Sequence, residues 1–451
     1  MKIIIVGMGM IGKTILENLI GEGHTITIVD ENKEKVESLI EKYDTLGVVG
    51  NGACLDVQLE AGAKNADMVI VVTGSDELNI MTCMVAKKAG AKSTIARVRN
   101  PLYRKQTEEM KEELGISMVV NPERETANEI FNLLSLPSIS DIEHFAMGRV
   151  SLVEVVATEG CALVGETLIS LGQKLKNKVL ICAVQRNGEV IIPTGEFLIQ
   201  EGDKISFTAD TKDLGDCLTE IHLNKRPFKN VMIVGGGRIG YYLTEKLAQK
   251  KFRVKVIENN EEQAEEMAEL LPSVSVVYGD GTQHSVLTEE GIEAMDAFVA
   301  LTGSDEANII ASIFANRSGV RKTVAQVKND ELTNMLDSEQ YLLGVSPKHI
   351  AASKIISYVR AIANSEGSNV ITLYRLVQNK VEALEFVAKA EEKFYNVPLK
   401  DLQIKKDCLI ACIIRKGEVI IPNGLSHIEQ GDNVVVVTTH KNFDDLTDLF
   451  I

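Results

Sequence analysis

The chain has 451 residues, enough for several domains at ~100–200 residues each, and its 45% hydrophobic and 25% charged content is that of ordinary globular protein with ample material for cores. A formal net charge of −16 argues against a nucleic-acid partner and against binding to an anionic membrane surface, both of which need clustered Lys and Arg. No stretch approaches the ~18 consecutive apolar residues of a membrane span, and the N-terminus runs directly into a strand pattern without a cleavable signal, which predicts a cytosolic protein.

The first thirty residues carry the most information. KIIIVGMGMIG places an apolar strand over 3–6 before Gly7, Gly9 and Gly12, then a helix over 13–20 and a second strand ending at Asp30. Strand, glycine turn, helix, strand and acid come in the order a dinucleotide site requires. Gly7 permits the tight turn, Gly9 lets the backbone approach a pyrophosphate, and Gly12 lets the helix pack closely on the strand. Met8, Met10 and Ile11 complete the turn, and the helix N-terminus offers free amides to an anion. Asp30 would accept hydrogen bonds from ribose hydroxyls. Outside this context a glycine triplet is only a strand-to-helix turn.

A charged helix over 31–43 follows, then a strand over 47–49 and the loop Gly50-Asn51-Gly52, where Asn51 is a further candidate contact. Next come a helix over 55–61, an apolar strand over 68–72, the turn Thr73-Gly74-Ser75-Asp76, and a helix over 78–89. A strand over 94–98, a helix to Leu114 and a strand over 116–119 close on Asn121-Pro122-Glu123. This alternation implies a parallel sheet covered on both faces. From Arg124 a helix leads to Pro137, after which strand patterns over 150–157, 179–186, 189–192 and 204–208 mark a smaller α+β module. Hairpin signals stand at Asn187-Gly188 and at Glu201-Gly202-Asp203.

Then the chain begins again. NVMIVGGGRIG carries Gly235, Gly236, Gly237, Arg238, Ile239 and Gly240 at an offset of 228 from the opening turn, and Glu258 takes the place of Asp30. VTGSDELN (72–79) returns as LTGSDEAN (301–308), and RNGEVIIPTG (186–195) returns as RKGEVIIPNG (415–424), both at an offset of 229. The repeat therefore covers both modules and is a tandem duplication. The expected fold class is α/β: two Rossmann-like doubly wound parallel-sheet domains, each followed by a small α+β domain. The expected bounds are 1–130, 140–224, 228–350 and 368–451, with a central joint at Lys225-Arg226-Pro227.

Several residues are candidates for ligand contact. Thr73 and Gly74, and their copies Thr302 and Gly303, end a buried strand at the edge where open α/β sheets bind ligands, while Ser75 and Asp76 suit helix caps. Asp280 stands where the first half has Asn51. Arg97, in IARVRNP, needs an anion: a phosphate, or Glu123 in a structural ion pair. The halves differ, with Arg238 in place of Met10, Gln326 in place of Arg97 and Lys328 in place of Arg99. The second turn is therefore expected to tolerate more phosphate charge.

No HExxH or GxSxG is present, and neither small module offers an acid/base residue of the kind hydride transfer needs. No catalytic residue is expected. Seven scattered cysteines without a CxxC or a Cys/His cluster read as reduced thiols, so no metal site is expected either. Each half reads as a ligand reader joined to a second reader or docking module.

The order GMGMIG, VD, VVGNGA, VTGSDELN, IARVRNP and NPE resembles the RCK/KTN (regulator of potassium conductance) family, and the small module resembles that family's C-terminal partner domain. The resemblance spans nearly the whole chain. It implies a homo-oligomeric ring, a tetramer with eight nucleotide-binding domains, docked beneath a membrane potassium transporter subunit at the inner face of the membrane. NAD(H) and ATP or ADP would bind at the glycine turns, touching 7–11, Asp30, Thr73, Gly74 and Arg97 in one half, and 235–239, Glu258, Thr302 and Gly303 in the other. Related single-pair regulators use an Arg in the turn and a Glu after the last strand for ATP phosphates. Arg238 has the former while Lys348 follows Pro347, and Glu123 has the latter while Met10 occupies the turn, so neither half carries both. The alternatives are a soluble NAD-dependent oxidoreductase with duplicated Rossmann halves and a nucleotide sensor for another ion transporter or channel.

Overall fold

The computed structural model describes residues 1–135, 138–145, 148–223, 228–336, 342–365, 370–376, 381–388, 392–440, 443 and 445–450. They fall into two compact units, one of Met1–Leu134 with Phe228–Val359 and the other of Ser135–Pro227 with Arg360–Ile451.

The first unit contains two six-stranded parallel sheets of the same order. In the first half the chain runs β1 (Lys2–Val6), α1 (Met10–Leu19), β2 (Thr25–Asp30), α2 (Lys33–Tyr43), β3 (Leu46–Val49), α3 (Leu55–Glu60), β4 (Met68–Val71), α4 (Asp76–Ala89), β5 (Ser93–Arg97), α5 (Pro101–Glu109) and β6 (Met118–Val120). The strand order β3-β2-β1-β4-β5-β6 reverses direction between β1 and β4, which opens a crevice at the carboxyl ends of those two strands. Val6 is paired with both Val29 and Val71, so the end of β1 sits at the centre of that crevice. All four residues of β4 are buried, as a central parallel strand requires.

The second half repeats this with β12 (Asn230–Val234), α9 (Arg238–Gln249), β13 (Arg253–Glu258), α10 (Glu261–Leu270), β14 (Ser275–Tyr278), α11 (His284–Glu289), β15 (Ala297–Ala300), α12 (Asp305–Arg317), β16 (Lys322–Gln326), α13 (Asp330–Leu336) and β17 (Leu342–Val345). Its order is β14-β13-β12-β15-β16-β17.

The helix after β6, α6 (Pro122–Ser135), crosses from one half to the other. Its Ala127, Ile130, Leu133 and Leu134 recur at helical spacing and share one apolar cluster with Val231, Ile233 and Leu243 of the second half. Two lysines of that half hold it there. Buried Lys322 donates to the Leu133 carbonyl at 2.8 Å, and Lys246 donates to Asn128 at 2.7 Å while lying 4.6 Å from the Phe131 ring centre. A cation at the carbonyl end of a helix is favoured by the helix dipole. In the second half the corresponding helix, α14 (Pro347–Ser365), buries Ala351, Ala352, Ile355, Ile356 and Val359.

The other unit holds two antiparallel five-stranded sheets. The first is β7 (Ile139–Phe145), β8 (Val150–Val156), α7 (Leu168–Lys174), β9 (Leu180–Arg186), β10 (Glu189–Ile191), β11 (Lys204–Asp210) and α8 (Leu214–Glu220), ordered β10-β9-β11-β8-β7. The second is β18 (Val370–Leu376), β19 (Val381–Val387), β20 (Cys408–Arg415), β21 (Glu418–Ile420) and β22 (Asn433–Thr438), ordered β18-β19-β22-β20-β21. The two sheets pack face to face through Phe145, Leu152 and Cys182 on one side and Ala383, Cys412 and Val435 on the other. In each sheet an arginine is forked onto a buried aspartate, Arg186 on Asp203 and Arg415 on Asp432.

Three expectations about elements change. The strand β7 was not anticipated, because ISDIEHF alternates imperfectly and carries two acids. Asn187 and Gly188, at φ 52° and 81°, make the expected tight hairpin between β9 and β10. The turn at Glu201-Gly202-Asp203 does not make one: it delivers β11 between β8 and β9. The helix read as running to Leu114 ends at Glu109. The expected joint at Lys225-Arg226-Pro227 and the helix end at Pro137 lie outside the described residues. No described helix is long and apolar enough to cross a membrane.

Candidate functional site

Two of the glycines in each turn are required by the backbone. Gly7 has φ +96°, and a Cβ on it would sit 2.8 Å from the Thr73 amide nitrogen. A Cβ on Gly12 would fall 2.1 Å from the Gly7 carbonyl oxygen. Gly235, at φ +105°, and Gly240 repeat both constraints, against Leu301 and Gly235 respectively. Gly9 and Gly237 differ, since nothing lies within 4 Å of the Cβ that each lacks. Each immediately precedes its helix and supplies no side-chain cap. Neither helix start thus has a side-chain cap, and the space beside Gly9 and Gly237 is open, an arrangement suited to receiving a phosphate.

The acids at the strand ends hold these turns. Asp30 accepts the Met8 N–H at 2.7 Å and the Asn32 N–H at 2.9 Å. Glu258 accepts the Gly236 N–H with one oxygen and the Asn260 N–H, at 2.8 Å, with the other. Asn51 and Asp280 fasten the neighbouring loops, accepting from the amides of Ala53 and Thr282. Hydrogen bonds from Thr282 hold the Asp280 carboxyl below its ordinary range.

A second layer was not anticipated. Asn79 is fully buried, its oxygen accepting the Thr73 N–H at 2.9 Å and the Thr73 hydroxyl, its nitrogen donating to the Arg97 carbonyl at 2.8 Å. Asn308 repeats this with Thr302 and the Gln326 carbonyl. The threonine two residues beyond the crevice strand is therefore tied to the neighbouring strand through one carboxamide in each half. Ser75 and Ser304 cap α4 and α12. Asp76 accepts the Arg99 and Asn100 N–H groups, and Asp305 accepts those of Lys328 and Asn329.

The turns of the two halves open on one cavity of about 410 Å³. Met10, Ile11, Arg97, Arg99, Pro122 and Glu123 line it from the first half, and Gly237, Arg238, Ile239, Gly240, Leu301, Gln326, Lys328, Ser346, Pro347 and Lys348 from the second. Arg97 donates to the Thr73 carbonyl, Arg99 to that of Gly74 at 2.6 Å, and Lys328 to that of Gly303 at 3.1 Å. Burial, followed by repulsion from Arg99, pushes Arg97 below the ordinary arginine range, against the pull of Glu123 and Asp76, and Arg238 adds further repulsion. Arg97 Nε, Arg99 Nε, Glu123 Oε2 and Ser346 Oγ are buried without a hydrogen-bond partner. Crowded cations with donors to spare are what a phosphate oxygen satisfies.

Of the residues singled out in the sequence, Met10, Ile11, Arg97, Glu123, Gly237, Arg238, Ile239 and Gly240 meet at this cavity. Gly7, Met8, Gly9, Gly12, Asp30, Asn51, Thr73, Gly74, Gly235, Gly236, Glu258, Asp280, Thr302 and Gly303 do not line it. Arg99, Lys328, Ser346 and Lys348 were missed as site residues. The expectation of a more charge-tolerant second turn treats Arg238 as that turn's own, whereas Arg238 shares its cavity with Met10 and Arg97.

Architecture and turns define a class: a protein built twice from a doubly wound parallel-sheet domain with a glycine turn and a small antiparallel-sheet α+β domain. The TrkA-N domain model matches residues 3–122 and 231–346, and the TrkA-C domain model matches 152–222 and 383–451. The chain is 32% identical over 458 residues to the Trk system potassium uptake protein TrkA of Haemophilus influenzae, spanning 100% of this chain and 98% of that protein. It is 33% identical over 458 residues to the protein of the same name from Vibrio alginolyticus, with the same coverage. The chain belongs to the TrkA family. A solved structure of the GsuK channel bound to NAD superposes with a TM-score of 0.63 over 97% of this chain and 76% of that one, at 18% identity, a likeness of fold.

Proposed function

We propose that this chain is a nucleotide-sensing regulatory subunit that gates a membrane potassium transporter of the TrkH/TrkG type from the cytoplasmic face. NAD(H) and ATP or ADP occupy the glycine turns of a homo-oligomeric ring, a tetramer in the family's pattern. A nucleotide shifts the ring only by its differential affinity for two ring shapes, and so sets the state of the transporter. In this reading residues 1–130 and 228–350 hold nucleotide, while 140–224 and 368–451 dock and assemble.

The observation that carries the reading is the open space at Gly9 and Gly237, beside uncapped helix starts and a cation-lined cavity. The names of the TrkA relatives support the potassium system, and the NAD bound by the GsuK channel, a neighbour in fold, supports the ligand class. The ionisable groups lining the cavity are five cations and one carboxylate, which suits anion binding better than the proton transfer an oxidoreductase needs.

The test is potassium flux through the purified transporter in vesicles, with this chain added and NADH, ADP or ATP varied. Flux that depends on both chain and nucleotide is expected. Flux indifferent to nucleotide, or steady oxidation of NADH by the chain with a small substrate, would overturn the proposal.

A further inference from the structure

The duplication is imperfect where it matters for charge. Two copies of the first half would give the cavity two post-strand carboxylates and no turn arginine, and two copies of the second the reverse, but it has one of each: Arg238 from the second half and Glu123 from the first, opposite Met10 and Lys348. Of its five cations, Lys348 is held by Asp330 at 2.8 Å and Arg99 lies 3.6 Å from Asp76. Arg97 and Lys328 donate to the carbonyls of Thr73 and Gly303, and Arg238 is an exposed side chain at the start of α9. The positive surplus available to a ligand is therefore small and lies in one place. Both turns face it, since Met10 and Ile11 of one and Gly237 and Arg238 of the other line the same 410 Å³.

We propose that the two turns share a single polyphosphate chamber, so that a triphosphate seated on one turn consumes the cations the other would need, and each chain holds one triphosphate tightly. The inference rests on nucleotides binding at the turns. A nucleoside triphosphate carries about four negative charges near neutral pH, more than Arg97, Arg238 and Lys328 neutralise, so a second one meets uncompensated like charge at close range. The pyrophosphate of a dinucleotide carries about two and makes a smaller demand. One triphosphate and one dinucleotide are then compatible in the same chain where two triphosphates are not. Ser346 Oγ and Arg97 Nε, buried at the cavity without partners, are the donors left for the phosphate oxygens.

Isothermal titration of the full chain with ATP in magnesium-free buffer containing EDTA tests this. One tight ATP per chain is expected, with a second at least about tenfold weaker. Gly9→Ala and Gly237→Ala, each closing one turn, should each leave one ATP per chain or fewer, and Met10→Arg, at an exposed position, should narrow the gap between first and second ATP. Two equal, independent ATP sites per chain would overturn the shared chamber while leaving nucleotide binding at the turns intact, and so would a gap unchanged by Met10→Arg. Absence of binding by both ATP and NADH would overturn this inference together with the reading beneath it.

Discussion

Gly9 and Gly12 lie three residues apart in one turn and are glycine for different reasons. A methyl group on Gly12 must displace the Gly7 carbonyl, which lies 2.1 Å from where the Cβ would be, whereas one on Gly9 meets only open space. Gly12→Ala should therefore lower stability by about 1–3 kcal/mol, as overpacking does, measured as the urea midpoint. Gly9→Ala should unfold like the parent chain yet bind nucleotide at least about tenfold more weakly at the first turn, because the Cβ occupies the approach to the helix amides. Asn79 gives a third residue to test. Replacing it by alanine strands the half-buried Thr73 N–H and Arg97 carbonyl, a loss of about 1–3 kcal/mol in the same measurement, and Asn308→Ala should match it in the other half.

Among the elements, those with a local cause could be read from the sequence. The crevice strands were readable because continuous apolar runs such as Met68–Val71 mark buried parallel strands, and the turns because glycine spacing reports backbone demand. What escaped was set by distant partners. Nothing in PERETANEIFNLLS says that its apolar stripe would pack on the other half's sheet, and nothing local in ISDIEHF says that β8 would recruit it as an edge strand. Arg99 and Lys328 escaped because a cavity between two modules has no signature within either. Asn79 left the one usable trace, since the same asparagine returns at the same place in LTGSDEAN.

The small sheets carry a pH prediction. Burial alone would raise the Asp203 carboxyl, but hydrogen bonds from Arg186 and the Gln200 amide outweigh it and hold it below the ordinary carboxylate range. A group depressed in the folded state stabilises above its unfolded value, about 4 for aspartate, and loses that contribution as pH falls through the folded value. The urea midpoint of the chain should thus change little from Asp203 between about pH 7 and pH 5 and fall below about pH 4. Asp203→Asn should lower the midpoint at neutral pH and flatten that acid limb.

In the molecule as a whole, duplication has produced two turns of one design opening on one cavity of unequal contributions. The helix α6 interlocks the two halves of that unit, with Lys322 and Lys246 of one half gripping the helix that leaves the other. The two turns therefore lie within one packed unit. The proposed function needs no reacting group, because a ligand can shift two states through its differential affinity alone.

If the open spaces at Gly9 and Gly237 receive nucleotide, filling both with a methyl group must cost binding and leave the fold alone. Isothermal titration of NADH and of ATP into the parent chain and into the Gly9→Ala, Gly237→Ala double variant, with thermal unfolding of both, separates the two effects. Binding to the parent, at least about tenfold weaker binding to the variant, and the same unfolding temperature for both are expected. Undiminished binding by a folded double variant, or no binding by the parent, would contradict nucleotide sensing at the turns.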